Sequence, residues 1–498
     1  MRTRREFLSI VAQTGVGAVG LASLSRRGRA QETGITVNDI HSKLNSTRTA
    51  GIIKPHSEDQ LRSALAAVRE SGKAVSIAGG RHAMGGQQFA KDAVLIDTRG
   101  MRRILSLDEQ GGVAEVEAGI EWPELIEGLV HLQAGRSAPL GIVQKQTGAD
   151  RLTLGGALGS NIHGRGLSLR PIIGDVEAFS LMNAEGQLLN CSRKENSELF
   201  RLVIGGYGLF GIVTRVKLRL MPRTKLERVV KIIDVDSLMP AFEQRISEGY
   251  IYGDCQFSTD MASDNFLRTG VFSCYRPLPP EAAMPVEQNE LQERDWHKLY
   301  YLSHTDTRRA YEAYTAYYLT TTGQRYWSDT HQLSVYLDDY HSAIDRQTGA
   351  KSAGSEMISE LYVPRAALGG FLSSVREDFR KFHIQLIYGT IRLIAKDDES
   401  FLAWAREPWV CIVMNLHINH TAEHIYKSAG DFRRLIDRAI EHGGSYYLTY
   451  HRWARADQIE KCYPQMGEFL KLKKQYDPGE LFVSDWYRHY KSMYADRL

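Results

Sequence analysis

A chain of 498 residues is too long for one simple core and fits two to three domains. Its 43% hydrophobic and 24% charged content is ordinary for a soluble globular protein, and a net charge of +3 from scattered Lys and Arg gives no reason to expect a nucleic-acid partner. The five cysteines (Cys191, Cys255, Cys274, Cys411 and Cys462) are well separated, with no C-x-x-C and no zinc spacing, so neither a metal site nor a disulfide is expected.

The N-terminus reads as an address. Thr3-Arg4-Arg5-Glu6-Phe7-Leu8-Ser9 matches the twin-arginine export pattern. An uncharged Gly/Ala-rich stretch runs on to Ser25, followed by Arg26, Arg27 and Arg29, with Ala30 at the cleavage edge. The stretch is weakly apolar for a membrane span, so residues 1–30 are expected to be a signal peptide rather than an uncleaved anchor. The expected product is periplasmic or otherwise exported, with no stable membrane span. Twin-arginine export carries folded proteins, which favours a tightly held cofactor acquired beforehand.

Past the signal, Ser57-Glu58-Asp59-Gln60 is a capping-box pattern before the helical run from Leu61 to Glu70. Val75 to Ala78 reads as a strand. Directly after it comes Gly79-Gly80-Arg81-His82-Ala83-Met84-Gly85-Gly86-Gln87. Glycines let backbone N–H groups converge on a phosphate, and His82 would sit beside whatever the loop cradles. A plain surface glycine turn is the simpler alternative. Ala93 to Asp97 and Val113 to Gly119 read as further strands, and Glu121-Trp122-Pro123 opens a helix. A second small-residue cluster runs from Thr153 through Gly155, Gly156, Gly159, Ser160, His163 and Gly164 to Gly166. It implies either a close ligand or tight packing of a Gly/Ala helix.

Leu181 to Gln187 reads as strand and turn. The third glycine cluster contains a literal G-x-G-x-x-G from Gly206 to Gly211. A dinucleotide fingerprint must open a helix after a strand. Here Val216, Leu218 and Leu220 alternate with Arg215, Lys217 and Arg219, so a strand follows and a nicotinamide domain is rejected.

Together these segments resemble the FAD domain of the vanillyl-alcohol oxidase/p-cresol methylhydroxylase (PCMH-type) flavoproteins. The Gly79–Gln87 loop is similar to their FAD loop, in which the matching histidine often bonds the flavin covalently. Gly155–Gly166, with its His163-Gly164 pair, resembles the loop under the flavin in alditol, sugar-lactone and decaprenylphosphoryl-ribose oxidases. Asp477-Pro478 and Phe482-Val483-Ser484-Asp485 resemble the C-terminal ending of the last group. The order from Leu181 to Thr214 is similar to that of cytokinin dehydrogenases as well.

The resemblance implies an α+β fold: a PCMH-type FAD-binding domain of two α/β subdomains at 45–223, then a substrate domain at 224–440 with an antiparallel sheet and flanking helices. Residues 441–498 would return to the FAD domain. It implies FAD, covalent through His82, held by Gly79, Gly80, Arg81, His82, Met84, Gly85, Gln87, Thr147, Gly148, Thr153, Gly156, Ser160, His163, Gly164, Ile212 and Val213. Tyr388-Gly389-Thr390-Ile391-Arg392 followed by Asp397-Asp398 is similar to the Glu-x-Arg…Asp-Asp segment of alditol and lactone oxidases, with Arg392 matching and Thr390 in place of Glu. Tyr447 and Tyr450 lie where the ribose oxidases carry a Tyr-x-x-Lys pair. Arg392, Tyr447 and Tyr450 are therefore the catalytic candidates, the phenols only if nearby cations lower their pKa from about 10. His451 and Arg452, read as strand neighbours, would point to opposite faces. His417 and His420 read as solvated or core histidines. Asp150 is out of register with the cytokinin dehydrogenase Asp.

The expected activity is oxidation of a C–OH bond of a sugar, polyol or related alcohol, or of a C–N bond, by hydride transfer to flavin N5. Oxygen or another redox acceptor would take the electrons. Cytokinin-type amine oxidation and a flavin-retaining protein that has lost catalysis are the alternatives.

Overall fold

Three short strands, Gly51–Ile53, Val75–Ala78 and Val94–Asp97, pair in parallel with the last in the centre. The helix Glu58–Glu70 crosses between the first two. It starts where Ser57 Oγ accepts the Gln60 N–H at 3.2 Å, and it buries Leu61, Leu65 and Val68 at a spacing of one helical face. That stripe packs with Val75 and Ile96 into a small core. The chain's far end joins it: Val75 donates to the Leu481 carbonyl at 2.6 Å, and Val483 donates back to the Val75 carbonyl at 2.8 Å. This computed structural model describes residues 34–498 apart from 336 and 338; the export segment expected at residues 1–30 lies outside the described residues.

A second, antiparallel sheet has the strand Ile212–Pro222 at its centre, flanked by Val176–Met182 and Val113–Glu117. Its inner residues Val216, Leu218 and Leu220 are buried while Lys217 and Arg219 face out, the alternation that excludes a helix here. The G-x-G-x-x-G run thus leads from the helix Ser197–Val203 into a strand, the reverse of the dinucleotide-binding order.

The third sheet has eight strands, all antiparallel. Gly354–Pro364, Trp409–Asn419 and Leu386–Ile394 lie side by side in it. Helices Leu368–Phe382 and Ala422–Glu441 pack on this part of the sheet and bury Phe371, Val375, Phe432, Leu435 and Ile436. Along Gly354–Pro364 the odd-numbered positions include Met357, Leu361 and Val363. The even-numbered positions, on the opposite face, include Glu356, Ile358, Glu360 and Tyr362. Two buried carboxylates on one sheet face need partners, and that face carries the candidate site. No helix among the described residues is long and apolar enough to cross a membrane.

Candidate functional site

The two glycine clusters are built against each other. A Cβ on Gly79 would run into the side chain of Thr153, and one on Gly80 into the carbonyl of Arg151. A threonine side chain can rotate, whereas a backbone carbonyl cannot yield without moving the loop. Gly80→Ala is therefore expected to destabilise the protein by about 1–3 kcal/mol, as overpacking does, and to lower its FAD content; thermal melting and flavin-to-protein absorbance ratios check this. Thr153 has a local task too: its Oγ1 accepts the Gly156 N–H at 3.2 Å and caps the helix Leu154–Ser160. The Gly/Ala helix, one of the two alternatives for this cluster, is therefore present.

Within the first loop Gln87 is spent on structure. Its Oε1 accepts the Gly85 N–H at 2.9 Å, and its Nε2 donates to the carbonyls of Leu448 and Thr449, each at 2.9 Å. Met84 is buried and donates its N–H to the Thr449 carbonyl at 3.2 Å. The loop is thereby tied to the turn that carries Tyr447 and Tyr450. Arg81 has a left-handed backbone (φ 60°), stands 4.0 Å from Asp97, and leaves Nε buried without a partner. His82 Nε2 is likewise buried without a partner. Burial pushes the His82 ring down to about 3, helped by His41, Lys145 and Arg151, so it is a neutral imidazole at physiological pH.

The other predicted positions divide. Ser160 accepts the Tyr447 hydroxyl on its carbonyl at 2.6 Å. Thr147 is partly buried, whereas Gly148 lies exposed (φ 79°) and donates to Ser334 Oγ at 3.0 Å. Ile212 is buried in the small core with Met182, and Val213 pairs with Leu181 in the sheet. Gly148, Ile212, Val213 and Gln87 each make turn or packing contacts within the protein.

His163 occupies the centre. Its Nδ1 faces the Gly164 carbonyl at 3.0 Å and its Nε2 faces Glu360 Oε1 at 2.7 Å. Both ring nitrogens thus face oxygen atoms of their neighbours. Gly164 is held in turn by Gln144, whose Oε1 accepts its N–H at 3.1 Å and whose Nε2 donates to Asp175 Oδ2 at 2.8 Å. Burial pushes Asp175 up to about 7 against the pull of Gln144. The folded protein then keeps a proton that the unfolded chain releases near pH 4. This contribution is complete below that pH and is lost as pH rises to about 7. Melting temperature measured against pH should therefore fall less over this window in Asp175→Asn than in the wild type.

Register brings the substrate-side groups together. Glu360 and Thr390 both pair with Val413, while Tyr362 and Arg392 both pair with Cys411. Residues opposite one another, and residues two apart, share a face, so Glu360, Thr390, Tyr362 and Arg392 form one polar patch. Tyr362 donates its hydroxyl to Glu360 Oε1. Glu360 Oε2, Thr390 Oγ1 and Arg392 Nε and Nη1 are buried without partners. Arg392 is only 4% exposed. Burial raises the Glu360 carboxyl, but His163, the Tyr362 hydroxyl and Arg392 outweigh it and hold the pKa below the usual glutamate value.

Tyr447 and Tyr450 are neighbours at this patch, with ring centroids 5.5 Å apart, and Gln146 donates to the Tyr450 hydroxyl at 3.3 Å. The strand read through this segment ends at Tyr446, so the two rings project from a turn and the strand argument for His451 and Arg452 does not apply. Burial drives both phenols well above their ordinary value, so the lowered pKa that a phenolate base requires is not met. Lys145, fully buried, contributes a cation that the sequence reading passed over; its Nζ reaches Asp150 Oδ1 at 2.6 Å and the Gln146 carbonyl at 2.8 Å. Asp150 also accepts the Ser334 N–H at 2.8 Å, so that carboxylate is already engaged. Glu360 was missed as well. Its signal was present as Glu356 and Glu360, two acids on the same face of an otherwise apolar segment.

The glycine loops and the buried, unpartnered atoms of Arg81, His82, Glu360, Thr390 and Arg392 fit a large polar cofactor with a substrate beside it. Comparison with known proteins agrees. Residues 49–192 match the family model described as an FAD binding domain. The chain is similar to L-gulonolactone oxidase of Mus musculus (30% identical over 174 residues, 35% of this chain and 38% of that protein). Cytokinin dehydrogenase 8 of Oryza sativa subsp. indica is 32% identical over 185 residues, 34% of each chain. Decaprenylphosphoryl-beta-D-ribose oxidase of Mycolicibacterium smegmatis is 22% identical over 443 residues, 86% of this chain and 91% of that protein. The chain thus spans well under half of the first two relatives, 38% and 34% of their lengths.

Proposed function

From the FAD-binding domain that this chain carries at residues 49–192, we propose an FAD-dependent oxidoreductase that oxidises a C–OH bond of a sugar, polyol or related alcohol. FAD supplies the acceptor for the hydride leaving the substrate carbon. The protein's residues do the rest. Glu360 Oε2, ionised and unpartnered, accepts the proton of the reacting hydroxyl. Arg392, with two free donors at the same level of the sheet, holds a substrate oxygen, and Thr390 Oγ1 offers a further hydrogen bond. His163 and Tyr362 fix the other Glu360 oxygen, and Tyr447 and Tyr450 wall the site as neutral phenols.

The observation that carries this reading is the carboxylate of Glu360 in register with Thr390. The acid absent from the Glu-x-Arg pattern at Thr390 is supplied from two strands away. This supports the catalytic reading over a protein that has lost catalysis at the Thr390 departure. The engagement of Asp150 by Lys145 and the Ser334 N–H speaks against the cytokinin-type alternative. Anaerobic mixing with polyols, sugars, lactones and amines tests the reading: bleaching of the flavin by a hydroxyl compound supports it, and bleaching by amines alone overturns it.

We also infer covalent attachment of the flavin through His82, supported by its neutral ring and unpartnered Nε2. Export by the twin-arginine route is inferred from Thr3–Ser9 alone. Replacing Arg4 and Arg5 with Lys should then leave the protein in the cytoplasmic fraction; unchanged fractionation would refute this.

A further inference from the structure

We propose a binding site for a divalent transition-metal ion of the zinc class, formed by His304, Glu356 and His417. The three residues come from separate elements: the helix Glu293–Thr305 and the strands Gly354–Pro364 and Trp409–Asn419. Each offers one ligand atom, and these atoms all lie within 4.8 Å of one another. Glu356 is fully buried, and the His304 side chain is 5% exposed.

The hydrogen-bond pattern asks for a cation. His304 Nδ1 faces the Tyr300 carbonyl at 2.7 Å and therefore carries a proton. In the neutral ring Nε2 is then a bare lone pair, yet it stands 2.7 Å from Glu356 Oε1. Two acceptors face each other, and either a second proton or a metal must lie between them. A second proton on His304 leaves His417 unexplained: its Nδ1 is buried without a partner, while its Nε2 lies 3.3 Å from Asn419 Oδ1. A metal uses both residues at once.

The surroundings match what ligands need. A metal-binding histidine usually donates its other N–H to a carbonyl or carboxylate, and a ligating carboxylate is itself hydrogen-bonded. Tyr300 supplies the first of these to His304; Tyr340, through its hydroxyl, and His341, at 3.2 Å, hold the outer oxygen of Glu356. Zinc bonds of about 2.0–2.1 Å place ligand atoms about 3.4 Å apart, so the 2.7 Å pair must open by about 0.7 Å. His417 and Asn419 also line a surface cleft, which gives an ion a path in. The group His163, Glu360 and Cys411 is equally close-set but belongs to the candidate substrate site described above.

Glu356 lies four strand positions from Glu360 on the same face, about 13 Å away at ~3.3 Å per residue. A metal there would pin the helix Glu293–Thr305 onto the sheet beside the substrate site. It takes no part in the redox step.

The test uses the untagged, FAD-loaded full chain, incubated with zinc chloride, desalted and analysed for metal. About one zinc per chain is expected. Glu356→Gln and His417→Ala should each reduce retention at least tenfold while flavin content and circular dichroism stay unchanged. Should Glu356→Gln fail to fold, His417→Ala decides alone. Cobalt in place of zinc should give visible ligand-field bands that are absent from the variants. Wild-type protein that retains no zinc after desalting, or variants that retain as much as the wild type, would overturn the proposal.

Discussion

Glu360→Gln is expected to slow flavin reduction by substrate by about 10²- to 10⁴-fold, the range for removing a positioned proton acceptor. Glutamine has nearly the same shape, so FAD should stay bound and the overall fold should hold. The group left in place of the carboxylate can still accept a hydrogen bond but cannot take the proton. The loss should therefore appear in the limiting reduction rate more than in the substrate concentration that half-saturates it. Stopped-flow reduction under anaerobic conditions separates the two. Since His163, Tyr362 and Arg392 hold the Glu360 carboxyl below the usual glutamate range, the accepting form is present throughout neutral pH. Raising pH through that pKa ionises the group, so the acid limb of the wild-type rate should lie below the ordinary value of about 4.3. A Glu360→Gln enzyme that reduces its flavin at the wild-type rate would remove Glu360 from the reaction.

His82→Ala is expected to release the flavin from covalent attachment. In the wild type the yellow colour should stay with acid-precipitated protein; in the variant it should pass to the supernatant. The argument rests on a ring kept neutral down to about pH 3, whose Nε2 finds no partner inside the protein. A neutral imidazole nitrogen is a nucleophile, and a protonated one is not. The remaining loop contacts predict that the variant still binds FAD noncovalently. Covalent flavin that persists in His82→Ala would sink the assignment.

The local signals read from the sequence were those that depend on near neighbours. The Ser57 cap and the alternation through Val216 and Leu220 act within a few residues, and each has its counterpart in the structure; the glycines at Gly79 and Gly80 are legible as a cluster, although the atoms they make room for, in Thr153 and Arg151, lie far along the chain. Resemblance extended that reading to the cofactor. Glu360 escaped because its meaning depends on register: only the pairing of Gly354–Pro364 with Trp409–Asn419, and of that strand with Leu386–Ile394, sets it level with Thr390 and Arg392. The nearby Glu356 marks an acidic face but not its alignment with Thr390 and Arg392. The tyrosines were read on a strand that stops at Tyr446, and their pKa depends on burial, which pattern alone does not quantify. His417 and His420 are three positions apart and share no strand face, whereas the groups that do lie near His417, Glu356 and His304, are 61 and 113 positions earlier in the chain.

The most direct test of the central claim is the visible spectrum of the purified chain, recorded anaerobically before and after addition of a panel of sugars and polyols. An oxidised flavin spectrum that bleaches with at least one hydroxyl compound, and recovers with oxygen or an artificial acceptor, is the predicted result. A colourless protein that takes up no FAD, or a flavin that no hydroxyl compound reduces, would contradict it.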